Sequence, residues 1–370
     1  MNKLHGLVFA YRSSKDLREL TQHRNTCSIP FGGRYRLVDF ALSSMVNAGI
    51  TDVGLIVHSS YQSLLDHVGS GKDWDLSRKH GGLRILPPFG YASATNSDYF
   101  GRMDSLAGVR TYLEDIHQDY VILMGGDLAA NLPIKKIFEQ HRKTKADITT
   151  VVTCQNVGEP RACTYLSTNP EGRVTDVFVH PKSPMGCESM EVYILSKQLL
   201  LSLVDHCATH NIHSFSEGVL LAMKDRLHIH TYEFEGYVGR FHTVGGYFEH
   251  SMDLLDPAVR ASLFDSRLPI KTKDQSNPST YYGPEAKVVD SLIADGCKIE
   301  GELDHCIVFR GVTVEKGARL SHCVLMQGVH VGANATLQYA IADKKVQINP
   351  GRMLMGHESY PIAIAKRSNV

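Results

Sequence analysis

Residues 291–348 repeat at spacings of 15, 17 and 17, and no other property of the chain restricts its fold so tightly. Aligned on Ser291, Cys306, Cys323 and Ala340, the next column reads Leu292, Ile307, Val324 and Ile341. Five positions past each first-column residue stand Gly296, Gly311, Gly328 and Lys345, followed by Cys297, Val312, Val329 and Val346. The unit closes on Ile299, Val314, Val331 and Ile348. A unit so short, apolar at fixed places, cannot bury a core alone and must stack on its neighbours. Spacings of six, as in Val308, Val314 and Leu320, fit a left-handed parallel β-helix with one inward aliphatic per short strand.

Upstream the pattern differs. To about residue 250, short apolar runs alternate with longer amphipathic stretches, as strands alternate with crossover helices. Residues 4–10, 52–57 and 120–124 read as strands, and 148–153, 174–179, 192–195 and 229–233 as further strands of the same layer. Between the first two, residues 35–48 carry Leu37, Phe40, Ala41, Met45 and Val46 on a helical stripe closed by Gly49. Strand, helix, strand implies a parallel sheet. Prolines at 257, 269 and 278 disfavour helix in the residues before them and mark a linker. The expected division is an α/β domain over 1–252, a linker over 253–280 and the β-helix over 281–370.

Charge excludes one class of partner. Lys plus Arg and Asp plus Glu each total 39, so no global positive field attracts phosphate backbones, and nucleic acid is not expected as a partner. The apolar stretch over 7–11 is too short for a signal-peptide core and nothing approaches a membrane span, so no membrane partner and a cytoplasmic location are expected. Eight cysteines, at 27, 154, 163, 187, 207, 297, 306 and 323, include no Cys-x-x-Cys pair and read as reduced and mostly buried. His305-Cys306 and His322-Cys323 fall on neighbouring coils, but stacked identical side chains follow from the repeat itself, and a small-residue interior ladder is the better reading than a metal site.

Several segments carry a resemblance. IPFGGRYRLVDFALSSMVNAGI over 29–50, YVILMGGD over 120–127, YFEHSMDLL over 247–255 and SLIADGCKIEG from Ser291 are similar to segments of bacterial ADP-glucose pyrophosphorylase (glucose-1-phosphate adenylyltransferase). The resemblance spans nearly the whole chain and implies a nucleotidyltransferase-like, Rossmann-like α/β domain with a mostly parallel sheet, followed by the β-helix. It implies chemistry in which a sugar-phosphate oxygen attacks the α-phosphorus of ATP. That reaction needs glycine-cradled phosphates, a divalent metal held by carboxylates and a clamp on the sugar phosphate.

Each of those parts is altered here. The family's glycine-rich loop becomes residues 10–17, AYRSSKDL, without a glycine. The basic residue four before Pro-Phe-Gly-Gly becomes Thr26. Asp127 keeps the place of one metal-holding carboxylate, while the second aligns with Arg240, whose charge repels a cation. The adenine-site motif becomes Gly101-Arg102-Met103-Asp104-Ser105, and the sugar-phosphate motif becomes Phe178-Val179-His180-Pro181-Lys182.

The resemblance therefore points to the non-catalytic, GlgD-type subunits of this family. No catalytic residue, metal or cofactor is expected in this chain, Mg2+ belonging to the catalytic partner. Gly32, Gly33, Arg36, Asp39 and Asp127 are expected to form a vestigial pocket, and Arg34, Lys182 and Arg240, with Arg12, are candidates for binding another anion. The partner implied is a catalytic ADP-glucose pyrophosphorylase chain in a heterotetramer under allosteric control, with a homo-oligomer when alone. Two alternatives stay open. One is a weakly active transferase of altered specificity; the other is acyl transfer using His305, His322 or His330 at a coil junction.

Overall fold

The computed structural model describes residues 3–10, 15–58, 60–87, 101–155 and 159–370. In chain order the first part runs β1 (Leu4–Ala10), β2 (Pro30–Phe31), β3 (Tyr35–Arg36), α1 (Leu37–Asn47), β4 (Asp52–Val57), α2 (Gln62–Val68), β5 (Gly82–Leu86), α3 (Arg102–Gly108) and α4 (Arg110–Glu114). It continues through β6 (Tyr120–Gly125), β7 (Leu128–Ala129), α5 (Ile134–Thr144), β8 (Ile148–Thr153), β9 (Thr164–Thr168), β10 (Val174–Val179), β11 (Cys187–Ser196), α6 (Lys197–Thr209), β12 (Ile229–Glu233), β13 (Gly239–Arg240), α7 (Val244–Met252) and α8 (Pro257–Leu263).

Strands β6, β1, β4 and β5 lie side by side and parallel, as the strand–helix–strand order requires. The long β11 then joins β6 antiparallel and pairs with both β8 and β9, so the sheet is parallel in one half and mixed in the other. Every residue of β1 is buried, because layers cover both faces of the sheet. Val8 faces Met45 and Ile122, whereas Leu7 and Phe9 face Leu106 and Leu123. A Cβ at Gly6 would stand 2.6 Å from Met45 Sδ, so that side chain would have to shift.

The predicted stripe on α1 is buried, but so is most of its circumference. Val38, Ala41, Leu42 and Met45 meet the sheet, while Leu37 and Phe40 join a second core shared with the carboxyl-terminal domain. The linker expectation needs correction over its first part. Pro257 is the first residue of α8, where its missing N–H is harmless, and Leu254 and Leu263 are wholly buried in that shared core.

The repeat columns become strand registers of a left-handed parallel β-helix. Leu292, Ile307, Val324 and Ile341 pair in succession, as do Ile299, Val314, Val331 and Ile348. Strand pairing also extends the stack before and after the four copies, from Tyr281 to Ile364. Alternation along each strand sorts the columns. Cys306, Cys323 and Ala340 point inward with Val308 and Leu325, and the intervening Ile307, Val324 and Ile341 point outward against Leu17, Phe31, Tyr247 and Phe248. The outward apolar column is thus the docking face for the α/β domain.

Six cysteines are free and buried, as expected. The expectation of eight reduced thiols is corrected by a disulfide between Cys154 and Cys187. On the β-helix, the His305 and His322 rings stack at 4.9 Å while the adjoining cysteines face the interior, so the two residue types cannot share a metal. His330 lies 3.0 Å from Glu315.

Candidate functional site

Strand β6 ends at Gly125 at the carboxyl edge of the parallel strands, where ligands of open α/β sheets gather, and Asp127 follows two residues on. Strand β7 pairs with β13 so that Leu128 lies opposite Arg240. Asp127 and Arg240 therefore line one small cavity, with Met190, Glu191 and His242. The Arg240 guanidinium is turned inward: Nε lies 2.5 Å from Glu188 Oε1, and Nη2 donates to the carbonyl of Ser189. Both side chains of this pair are buried.

A second arginine–glutamate pair adjoins it. Arg102, the first residue of α3, places Nη2 2.9 Å from Glu191 Oε2 and donates from Nη1 to the Glu191 carbonyl at 3.2 Å. Its guanidinium lies 4.7 Å from the centre of the Phe9 ring and 5.3 Å from that of Tyr193, so aromatic faces and a carboxylate hold it over the end of β1. Both glutamates come from one stretch of β11, which bulges between Ser189 and Val192 with Glu191 at φ 56°. The bulge lets neighbouring acids reach different arginines.

A divalent cation needs several converging oxygen ligands. Asp127 instead shares its cavity with a guanidinium, both glutamates hold arginines, and among the described residues no group of three His, Cys, Asp or Glu side chains is placed to hold a metal. These residues do not fit Mg2+.

Of the loop in place of the phosphate cradle, residues 11–14, including Arg12, lie outside the described residues. The segment that follows, Lys15–Thr21, is drawn down onto the β-helix: Leu17 and Leu20 are buried in the shared core, and Arg18 Nη1 donates to the Tyr360 hydroxyl at 2.7 Å. Asp104 caps α3 by accepting from Gly101 N at 2.8 Å and meets His213 at 2.7 Å. Lys182 is exposed between β10 and β11 and does not line the Asp127 cavity.

The five residues expected in one vestigial pocket divide between two places. Gly32 and Gly33, both at positive φ, turn the β2–β3 hairpin so that Gly33 comes to rest against the carbonyl of Val308. That hairpin opens onto a cleft between the domains, remote in sequence from Asp127. Asp39 is wholly buried and structural, accepting from Arg36 N at 3.0 Å and meeting His67 Nε2 at 2.6 Å.

The cleft is strongly cationic. Arg34, Arg36, Lys273, Arg310 and Lys344 line it, and among the described residues no carboxylate does. Arg36 is held by the Ser63 carbonyl and hydroxyl, Arg310 Nε lies 3.1 Å from Asp295, and Lys273 donates to the Asp66 carbonyl at 2.6 Å. Burial, reinforced by Arg36 and Arg24, pulls the Lys344 ammonium down to about 6 against the weaker pull of Asp343. Burial likewise lowers Arg36 to about 10. Crowded like charges facing a polar cavity suit an anion, whose arrival would relieve both repulsion and desolvation.

Of these cations, sequence reasoning named only Arg34 and Arg36; it missed Lys273, Arg310, Lys344 and both glutamates. A signal for two of them was present. Asp295, Arg310, Gln327 and Lys344 occupy one column of the repeat, and the last three line the cleft. The glutamates had no such pattern, since a bulge inside β11 decides their direction.

Comparison with known proteins agrees with this architecture. Residues 7–241 match the nucleotidyl transferase family and residues 279–359 the GlmU-like C-terminal hexapeptide family. The chain is 34% identical over 367 residues to glycogen biosynthesis protein GlgD of Bacillus subtilis, covering 99% of this chain and 96% of that one. It is 33% identical over 319 residues to glucose-1-phosphate adenylyltransferase of Geobacillus stearothermophilus, covering 85% and 82%. The Bacillus subtilis protein of that second name is 30% identical over 317 residues, covering 84% and 83%.

Proposed function

The chain belongs to the bacterial glucose-1-phosphate adenylyltransferase family, and from that premise we propose that it is a regulatory, catalytically deficient subunit acting in glycogen biosynthesis through a catalytic partner chain. The observation that carries this reading is the pair of arginine–glutamate contacts, Arg240 with Glu188 and Arg102 with Glu191, beside Asp127 at the carboxyl edge of the sheet. They put cations, one buried and one half-buried and both already neutralised, where phosphoryl transfer calls for a metal and its carboxylates.

The intact interdomain cleft supports a regulatory role. It joins the β2–β3 hairpin to a β-helix ladder, so an anion held by Arg34, Arg310 and Lys344 would bias how the two domains sit. An effector acts on a partner only through contacts that differ between two states. We place the protein in the cytoplasm, as part of a heterotetramer with the catalytic chain. Among the described residues no helix is long and apolar enough to cross a membrane.

The test is to titrate the purified chain into a bacterial glucose-1-phosphate adenylyltransferase and follow ADP-glucose formation with and without inorganic phosphate. A change in rate, substrate affinity or phosphate response is expected, with no turnover by this chain alone. Unaltered partner kinetics, or magnesium-dependent turnover by the chain alone, would reject the reading.

A further inference from the structure

We infer that the Cys154–Cys187 bridge is a reversible thiol–disulfide exchange site for a dithiol, and that its redox state sets the order of the β11 stretch that holds Arg240. This does not rest on the regulatory reading above. Cys154 directly follows β8 and Cys187 opens β11, two antiparallel strands in which Thr153 lies opposite Glu188. The bridge therefore ties the ends of neighbouring strands across 33 residues of sequence.

Reactivity is confined to this pair by access. Cys154 is exposed, whereas the six free cysteines are all buried. Burial pushes the Cys163 thiol up to about 12 and raises those of Cys207, Cys297 and Cys323, which keeps them protonated and inert. A disulfide with one sulfur on an exposed residue is within reach of an attacking thiolate.

What the bridge controls follows from where β11 is bulged. Between Cys187 and the bulge only Glu188 and Ser189 keep register with β8, opposite Thr153 and Val152, and these same two residues hold Arg240. The covalent tie thus fastens to β8 a short segment that pairs with β8 through two residues and with β9 through Cys187 and Glu188. Its loss would loosen the Glu188 carboxylate and the Ser189 carbonyl together and free the guanidinium between them.

The exchange balances without another reagent. One thiolate of the dithiol attacks Sγ of Cys154, the Cys154–Cys187 bond breaks, and Cys187 leaves as thiolate and takes a proton. The second thiol of the reagent then displaces Cys154 from the mixed disulfide. Two electrons and two protons pass to the protein and the dithiol becomes a disulfide.

The test uses the folded full-length chain and dithiothreitol. Air-oxidised protein treated with iodoacetamide and read by mass spectrometry should carry no label at Cys154 or Cys187. After reduction it should carry one at each and none at the six buried cysteines, and oxidised glutathione should restore the unlabelled state. Amides of residues 187–191 should exchange at least tenfold faster in the reduced protein, and a Cys154→Ser/Cys187→Ser variant should match it. Labelling without reductant, reduction only in denaturant, or equal exchange in both redox states would overturn the inference.

Discussion

Arg24 gives Nη2 to both carboxylate oxygens of Asp343, at 2.7 and 2.5 Å, with both side chains buried and a sequence separation of 319. Arg24 belongs to the α/β domain and Asp343 to the last coil of the repeat, so the contact fastens one domain to the other. Beside it stand Lys344 and Lys366, and Asp343 is the acid that offsets this cationic surface.

Removing one partner strands a buried charge. Arg24→Met and Asp343→Leu are each expected to lower unfolding free energy by about 3–5 kcal/mol, and the double substitution by clearly less than their sum. Chemical denaturation of the three variants measures this; strictly additive losses would mean that the contact is energetically empty.

Lys344 gives stability a pH dependence of definite sign. Its folded value of about 6 lies below the ordinary 10.5, so between those limits the unfolded chain holds the extra proton and stability rises with pH. The slope has an upper bound of about 1.4 kcal/mol per pH unit. Melting curves from pH 6.5 to 9 should show that slope reduced in Lys344→Met, and flattened in the parent by saturating phosphate. An unchanged slope in the variant would assign the dependence elsewhere.

Restoring a carboxylate at Arg240 is not expected to restore catalysis. Arg240→Asp would leave Glu188 without its arginine and beside a second buried acid, while Arg102 still covers the end of β1. Stability should fall by about 3–5 kcal/mol with no ADP-glucose formed in the presence of magnesium. Turnover by this single variant would show that the lost carboxylate was the whole deficit.

Docking through the outward column is open to a sharper test. Val324 is wholly buried between the domains, and Val324→Asp should cost at least about 3 kcal/mol by placing a charge there. Limited proteolysis should then cut within 265–280. The inward β-helix should survive as a fragment, because its own core does not include Val324.

The β-helix was legible because a repeat writes each inward position several times, and alternation alone separates Cys323 from Val324. The α1 stripe was legible for the same reason of periodicity, but its burial all round was not, since Leu37 and Phe40 meet a domain encoded some 250 residues later. Alignment of motifs set Arg240 against the place of a second carboxylate, and it lines one cavity with Asp127, but that alignment did not foresee Glu188, which the bulged register of β11 supplies. Pro257 misled because a proline that ends one helix equally well begins another.

A solenoid ordinarily changes length freely, by gaining or losing turns. This one is indexed. Inserting a coil before Asp343 would carry that residue about 4.8 Å along the stack, out of step with Arg24, while the outward column slid past Leu17 and Phe31 by the same increment. The α/β domain thus acts as a gauge for the β-helix, and the number of turns is fixed by the neighbour it rests on.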